Sequence, residues 1–320
     1  MLTINLIFEV NYAVFAIFAS LLITEIMVSV LLLLFWRETK TRVLDYIVPI
    51  WEVTGTFGAF WVVTGDFAFP SLLVPVAKIF APLLTIFLIL LVARNASIVF
   101  AEFIIKRGWL DEVKLYKAYA ISTIFMGLVV LVLLSSLVSG AGVDLAAGSF
   151  SIGKWISSPG SWLFVLGTLA IGVGMAPVFY SLDPLKKITL PITVVGIGLS
   201  ILSYYAYSPS FVSAWMAVPV ALTLIAGLLF FSRATRRLVT NKAVFISVLS
   251  AIIFSLQFLI YPSVIGRAIP VDAVTTTGPM ADAYLAITIV GGILLTAMLA
   301  LYMSVAMRAR TVEKAAEVMR

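Results

Sequence analysis

Apolar residues run in long stretches broken only by short polar marks. About 20 such residues let an α-helix cross a bilayer core with every backbone amide satisfied inside its own segment. On that spacing the chain predicts nine spans, at roughly residues 10–36, 46–66, 71–93, 117–140, 161–181, 188–207, 210–232, 242–265 and 282–307. The fold class is an all-α integral membrane protein, a single polytopic domain over residues 1–320. Only Ser208 and Pro209 separate the sixth and seventh spans, and the hairpin at Asp66 to Pro70 also admits a re-entrant pair. Ile98 to Ile105, interrupted by Glu102, either extends the third helix or lies along the inner surface. The polar segments 94–116, 141–160 and 266–281 are too short to fold alone.

Composition agrees with the pattern, since 62% hydrophobic and 11% charged residues lie far from the balance of a soluble domain. The net charge of +6 sits in short basic runs between apolar stretches, which points to cytoplasmic loops facing an anionic leaflet and not to nucleic acid. All of the 21 Lys and Arg except Lys78, Lys154 and Arg267 fall on one side of the nine-span partition. That asymmetry puts the amino terminus outside and the carboxyl terminus in the cytoplasm. Trp36 and Trp109 then fall near the inner boundary, and Trp155, Trp162 and Trp215 near the outer one. The first span stays in the membrane, because Glu9 precedes it in place of a basic region and it is too long for a signal peptide.

The chain has no His and no Cys. It therefore offers neither imidazole nor thiolate to zinc, copper, an iron-sulfur cluster or haem iron, and no metal site is expected. Met126, Met175, Met216, Met298 and Met303 lie within spans and read as packing residues. Gly172 with Gly174, Gly196 with Gly198, and Gly291 with Gly292 read as points of close helix contact.

Ionisable residues inside the hydrocarbon cost roughly 2.5–3.5 kcal/mol each on insertion scales and point to function. Three qualify: Glu25, Glu52 and Lys78. At about 1.5 Å per residue, Glu52, Glu25 and Lys78 stand roughly 9, 16 and 20 Å from the inner side, a ladder into the membrane. Carboxylates stepping inward from the cytoplasm suit proton transfer. The bland alternative is a structural ion pair of Glu25 or Glu52 with Lys78, or a hydrogen bond between helices.

The segment from Trp51 to Arg94 resembles the second subunit of cytochrome bd-type quinol oxidases. That family shows Pro-x-Trp-Asp at the start of its second helix, an aromatic-Pro pair after it, and an Arg closing the third helix. Here these stand as Pro49-Ile50-Trp51-Glu52, Phe69-Pro70 and Arg94, without a gap. Glu replaces Asp at 52, and Val53 and Thr54 replace polar residues. Glu25 falls near the last acid of the family's first-helix motif. Tyr261-Pro262-Ser263 and Asp272-Ala273, followed by one long span and a basic tail, resemble its last two helices and the loop between them.

The resemblance implies a nine-helix, haem-free accessory subunit that is inactive alone. Its partner is a haem-bearing subunit I in a prokaryotic cell membrane, and the complex uses quinol to reduce oxygen. It implies a proton path from the cytoplasm with Glu52, and less directly Glu25, as members; Lys78, Arg94 and Trp51 stand as structural or ion-pair residues. A structural quinone and a small single-helix subunit are further candidate companions. Two rivals belong to other classes: an ion-coupled secondary transporter with Glu25, Glu52 and Lys78 in its site, and the quinol-binding anchor of another respiratory complex.

Overall fold

The computed structural model describes the chain except residues 1, 105–110, 181, 183–184, 208–215, 232–234, 236–240, 257–262, 267 and 319–320; for 2–4, 38, 40–42, 45–46, 264 and 302–318 it describes the backbone alone. The expectations at Trp109, Ser208, Pro209, Trp215, Tyr261, Pro262 and Arg267, and for the Met303 side chain, lie outside the described residues.

Eleven α-helices make up the described fold: α1 (Leu2–Leu34), α2 (Trp36–Ala68), α3 (Pro70–Ile79), α4 (Ala81–Phe103), α5 (Glu112–Ser139), α6 (Ile152–Ile156), α7 (Pro159–Phe179), α8 (Lys186–Tyr207), α9 (Ala217–Phe231), α10 (Lys242–Ser255) and α11 (Pro279–Val318). Two small antiparallel hairpins, β1–β2 (Val143–Asp144 with Ser149–Phe150) and β3–β4 (Ser263–Val264 with Ile269–Pro270), follow α5 and α10. Seven helices are long and apolar enough to span a bilayer: α1, α2, α4, α5, α7, α8 and α11. The chain is a multi-pass membrane protein. Helices α9 and α10 are shorter apolar helices, and they occupy the expected seventh and eighth spans.

The structure redraws three expected boundaries. Phe35, at φ −132° and ψ 45°, is the one non-helical residue between α1 and α2, so the basic stretch after Trp36 is helical and not a loop. The expected third span, 71–93, is divided at Phe80, because Pro82 starts a new helix there. The membrane-crossing helix is α4, which runs on to Phe103 and takes in Ile98 and Glu102 as an extension.

Helix α1 is the hub, with two thirds of its most apolar window buried against 17% for α4 and 11% for α11. It lies antiparallel to α2: Ile7 packs by Ala68, Phe18 by Gly58, and Leu31 and Leu32 by Val43. Helices α7 and α8 form the closest pair. Gly160, Gly167 and Gly174, spaced by seven, face Tyr207, Ser200 and Thr193, spaced by seven in reverse. A Cβ on Gly167 would lie 2.8 Å from the Ser200 backbone nitrogen, and one on Gly174 equally close to that of Thr193. Small residues let two backbones approach where no water drives helices together.

Helix ends follow local chemistry. Asp111 caps α5 by accepting from the Lys114 amide at 2.8 Å, and Gly140 closes that helix at φ 75°. Asn241 caps α10. Trp155 is buried in α6, donates to Ser135 at 2.8 Å and meets Trp162 at 5.1 Å between rings.

Candidate functional site

The polar centre of the bundle is assembled from α1, α2, α4 and α5, with Tyr180 at the end of α7. Glu25 on α1 is fully buried and Arg94 on α4 is 2% exposed. Arg94 Nε donates to Glu25 Oε1 at 2.8 Å, and Nη2 donates to the same oxygen. The Tyr119 hydroxyl, from α5, is the third donor to that oxygen, and its ring faces the guanidinium at 5.9 Å. Arg94 Nη1 donates to Asn95 Oδ1 at 2.8 Å, and Trp51 Nε1 from α2 donates to that oxygen at the same distance. Tyr180 donates to the Thr24 carbonyl at 3.1 Å. Glu25 Oε2 accepts no hydrogen bond within the described residues.

Local sequence explains why these groups meet. Glu25 stands nine residues before the end of α1, and Arg94 nine before the end of α4. At about 1.5 Å per residue both lie roughly 14 Å from their helix ends. Each charge is the main compensation that makes the other tolerable away from water, and the Tyr119 hydroxyl and the Asn95 side chain add to it. Trp51 and Asn95 fasten α2 to the same level. The result is a four-helix clamp around one ion pair.

The expected ladder of Glu52, Glu25 and Lys78 does not form. The Trp51–Asn95 bond sets Glu52 near the depth of Glu25, and it is exposed on the outer face of α2. Lys78 belongs to α3, ahead of the membrane-crossing α4, and is exposed. Among the described residues, Lys78 forms no ion pair with Glu25 or Glu52; the partner of Glu25 is Arg94. Arg94 also does not close its helix, since α4 continues for nine residues beyond it. Sequence pattern does not single out Tyr119 or Tyr180, and it offers Asn95 only as part of a chance Asn95-Ala96-Ser97 glycosylation-acceptor match. The signal that finds them is the full length of α4, which turns Arg94 into an intramembrane charge in need of partners.

Beside the clamp lies a partly open cavity of about 230 Å³ between α1, α5, α7, α8, α9 and α10, with an almost wholly apolar wall that includes Phe15, Ile23, Leu131, Phe164, Ile201 and Leu249. Glu25, Glu52 and Lys78 are all absent from its wall. Met27, Met175 and Met216 do line it. With no imidazole in the chain and a volume below the roughly 300 Å³ at which ligand pockets commonly begin, the cavity does not fit a haem.

Helices long and apolar enough to cross a membrane, around a buried carboxylate–guanidinium pair that lies apart from the apolar cavity, define a polytopic membrane protein. Its fold is that of a chain in the structure of bd oxidase from Geobacillus thermodenitrificans, with a TM-score of 0.77 and 18% identity over 95% of this chain and 98% of that one. No known protein family matches the sequence, and no curated protein does.

Proposed function

We propose that the chain is the haem-free accessory subunit, subunit II, of a cytochrome bd-type quinol:oxygen oxidoreductase in a prokaryotic cell membrane, supporting a haem-bearing subunit I and aiding proton delivery from the cytoplasm. The observation that carries the reading is the shared fold over 95% of the chain. It is supported by the bd-like motif residues Trp51 and Arg94, which join one buried network around Glu25. The absence of His and Cys fits a chain whose complex holds its haem elsewhere.

Two faces are suited to a large apolar neighbour. On α4, Leu88, Ile89 and Val92 are exposed, and on α11, Ile293, Leu294 and Met298. Along α2 the exposed positions Glu52, Gly55, Thr56, Ala59, Val62 and Val63 recur at helical spacing as one stripe. On this reading subunit I covers that stripe, and Glu52 carries protons along the boundary. Glu25, neutralised by Arg94, holds a fixed charge that orders the helices behind it.

The reading is tested by isolating the native complex. A second, haem-bearing polypeptide with quinol-dependent oxygen consumption is the expected result. A chain that catalyses ion-coupled uptake alone in liposomes, or copurifies with an iron-sulfur subunit, overturns it. Glu52→Gln in the assembled complex is expected to lower oxygen consumption at least several-fold. Unchanged turnover with intact assembly removes the proton-path role and leaves the subunit assignment standing.

A further inference from the structure

The apolar cavity follows the axis of the bundle. Its wall takes in α1 from Tyr12 to Met27, and α10 with its cap from Val244 to Leu256. At about 1.5 Å per residue these stretches are roughly 22 Å and 18 Å long. The hydrocarbon of one leaflet is about half of a 30 Å core, so the cavity is at least as long as one leaflet is deep. A volume of about 230 Å³ drawn out over that length makes a slender slot. Val244, Val248, Ile252 and Leu256, one turn apart, are half-buried and line it from end to end. A single hydrocarbon chain has the shape and the chemistry of this space.

One end of the slot is basic. Met27, Met175, Ala226 and Phe245 line that end and pack in one cluster. Phe245 meets Phe179 at 5.1 Å between rings, and Lys242 Nζ stands 4.5 Å from the Phe179 centroid. The ammonium is therefore one ring beyond the slot. Lys186 Nζ lies 4.9 Å from the Phe231 centroid and 5.7 Å from that of Phe230, and donates to the Phe231 carbonyl at 3.2 Å. Phe179 and Phe230 belong to the same buried cluster as Phe245, so both amines sit on one group of rings, and Lys187 next to Lys186 is exposed. An aromatic face holds a cation in place and leaves it its charge. In sequence, the connections at this end, residues 180–187 and 232–242, carry six Lys and Arg against one acid, Asp183.

We propose that the slot takes one acyl chain of an anionic phospholipid whose phosphate is held by Lys242 and Lys186, with Lys187 beside them. Two separate features select the two parts of this molecule: the slot selects the chain, and the amines select the charge. A zwitterionic lipid, or a neutral molecule with a long apolar tail, answers only the first. Because the cavity is partly open, the second chain of the lipid stays in the bilayer. The bound chain packs between the hub helix α1 and helices α7 to α10, and the headgroup ties the start of α8 to the start of α10.

The test uses the native assembly, delipidated in a neutral detergent and returned to dioleoyl phosphatidylglycerol or dioleoyl phosphatidylcholine, with bound lipid counted by native mass spectrometry. Val248→Trp, which fills the slot and keeps every charge, is expected to remove one bound lipid. At that site phosphatidylglycerol is expected to bind several-fold more tightly than phosphatidylcholine. Lys242→Gln is expected to weaken phosphatidylglycerol there about five-fold, the effect of one lysine at an anionic surface, and to leave phosphatidylcholine unchanged. Equal affinity for the two lipids, a Lys242→Gln variant that binds as the parent does, or a Val248→Trp variant that loses no lipid overturns the proposal. So does a quinone as the molecule that the untreated assembly retains in the slot. Should Val248→Trp fail to assemble, a map of the parent with phosphatidylglycerol decides. Chain density along Val244 to Leu256 that ends beside Lys242 supports the proposal, and its absence there overturns it.

Discussion

Replacing Arg94 by Leu leaves the Glu25 carboxylate in the interior with Tyr119 as its remaining donor. Glu25 is fully buried and Arg94 is 2% exposed, so solvent cannot screen the loss. Breaking one side of such a pair costs about 3–5 kcal/mol, whereas replacing both partners with apolar groups is often neutral. For a chain of this size each kcal/mol corresponds to roughly 2 °C, which gives a fall of about 6–10 °C for Arg94→Leu. The double variant Glu25→Leu with Arg94→Leu should recover most of it. Arg94→Lys should lie between, since it keeps the charge but lacks the planar fork through which Arg94 reaches Glu25 and Asn95 on separate nitrogens. The assay is thermal unfolding of the detergent-solubilised assembly, with the intact fraction counted by size exclusion. The reasoning fails if Arg94→Leu melts within about 1 °C of the parent, or if the double variant is no better than the single.

Gly167→Val places a branched side chain where a Cβ alone would meet the Ser200 backbone. Overpacking of this kind costs about 1–3 kcal/mol; it should appear as lower thermostability, with Gly198→Ala, where a Cβ meets nothing within 4 Å, as the silent control. The pH dependence of the α5 terminus follows from Asp111, whose carboxyl lies below its ordinary 3.8 because it accepts from the Lys114 backbone amide and then from the Lys114 side chain. A folded value below the unfolded one means the cap contributes fully above about pH 3.8 and is lost as pH falls through the folded value. Amide hydrogen exchange in the first turn of α5 should therefore accelerate, relative to the rest of the helix, only below that range. Asp111→Asn, which keeps an accepting oxygen, should remove the acid-dependent part.

Hydrophobic runs located most of the helices, because a bilayer imposes length and continuity on any segment that crosses it. Hydropathy sets the third span about ten residues too early, for a reason visible in its sequence. Residues 71 to 103 are apolar throughout except for a few polar positions, so hydropathy cannot say which 20 cross. The break comes from Phe80 and the Pro82 behind it, a backbone matter that hydropathy does not weigh. The same ambiguity hid the ion pair, since an Arg at the end of a helix needs no partner and one in its interior does. The glycine repeat of α7 was legible as small residues but not as a register, because its seven-residue spacing acquires meaning only beside Ser200 and Thr193 on α8.

The two buried-depth acids differ in what surrounds them, and that difference decides what each can do. Glu25 gives three donors a single oxygen, two of them from one guanidinium. A proton arriving there would have to displace a charge-assisted contact stronger than an ordinary hydrogen bond. Such a group holds helices in place better than it relays protons. Glu52 lies at similar depth on an exposed stripe that a second protein would cover. Its setting would then be a protein boundary, where water and partner side chains reach it without dismantling the bundle. A chain that keeps one acid locked and presents another at its margin can lend a proton-handling group to a neighbour while its own core stays rigid. Glu25→Gln should accordingly weaken assembly more than turnover per assembled complex, and Glu52→Gln the reverse. If both variants lower turnover equally at full assembly, this division between the two acids is wrong.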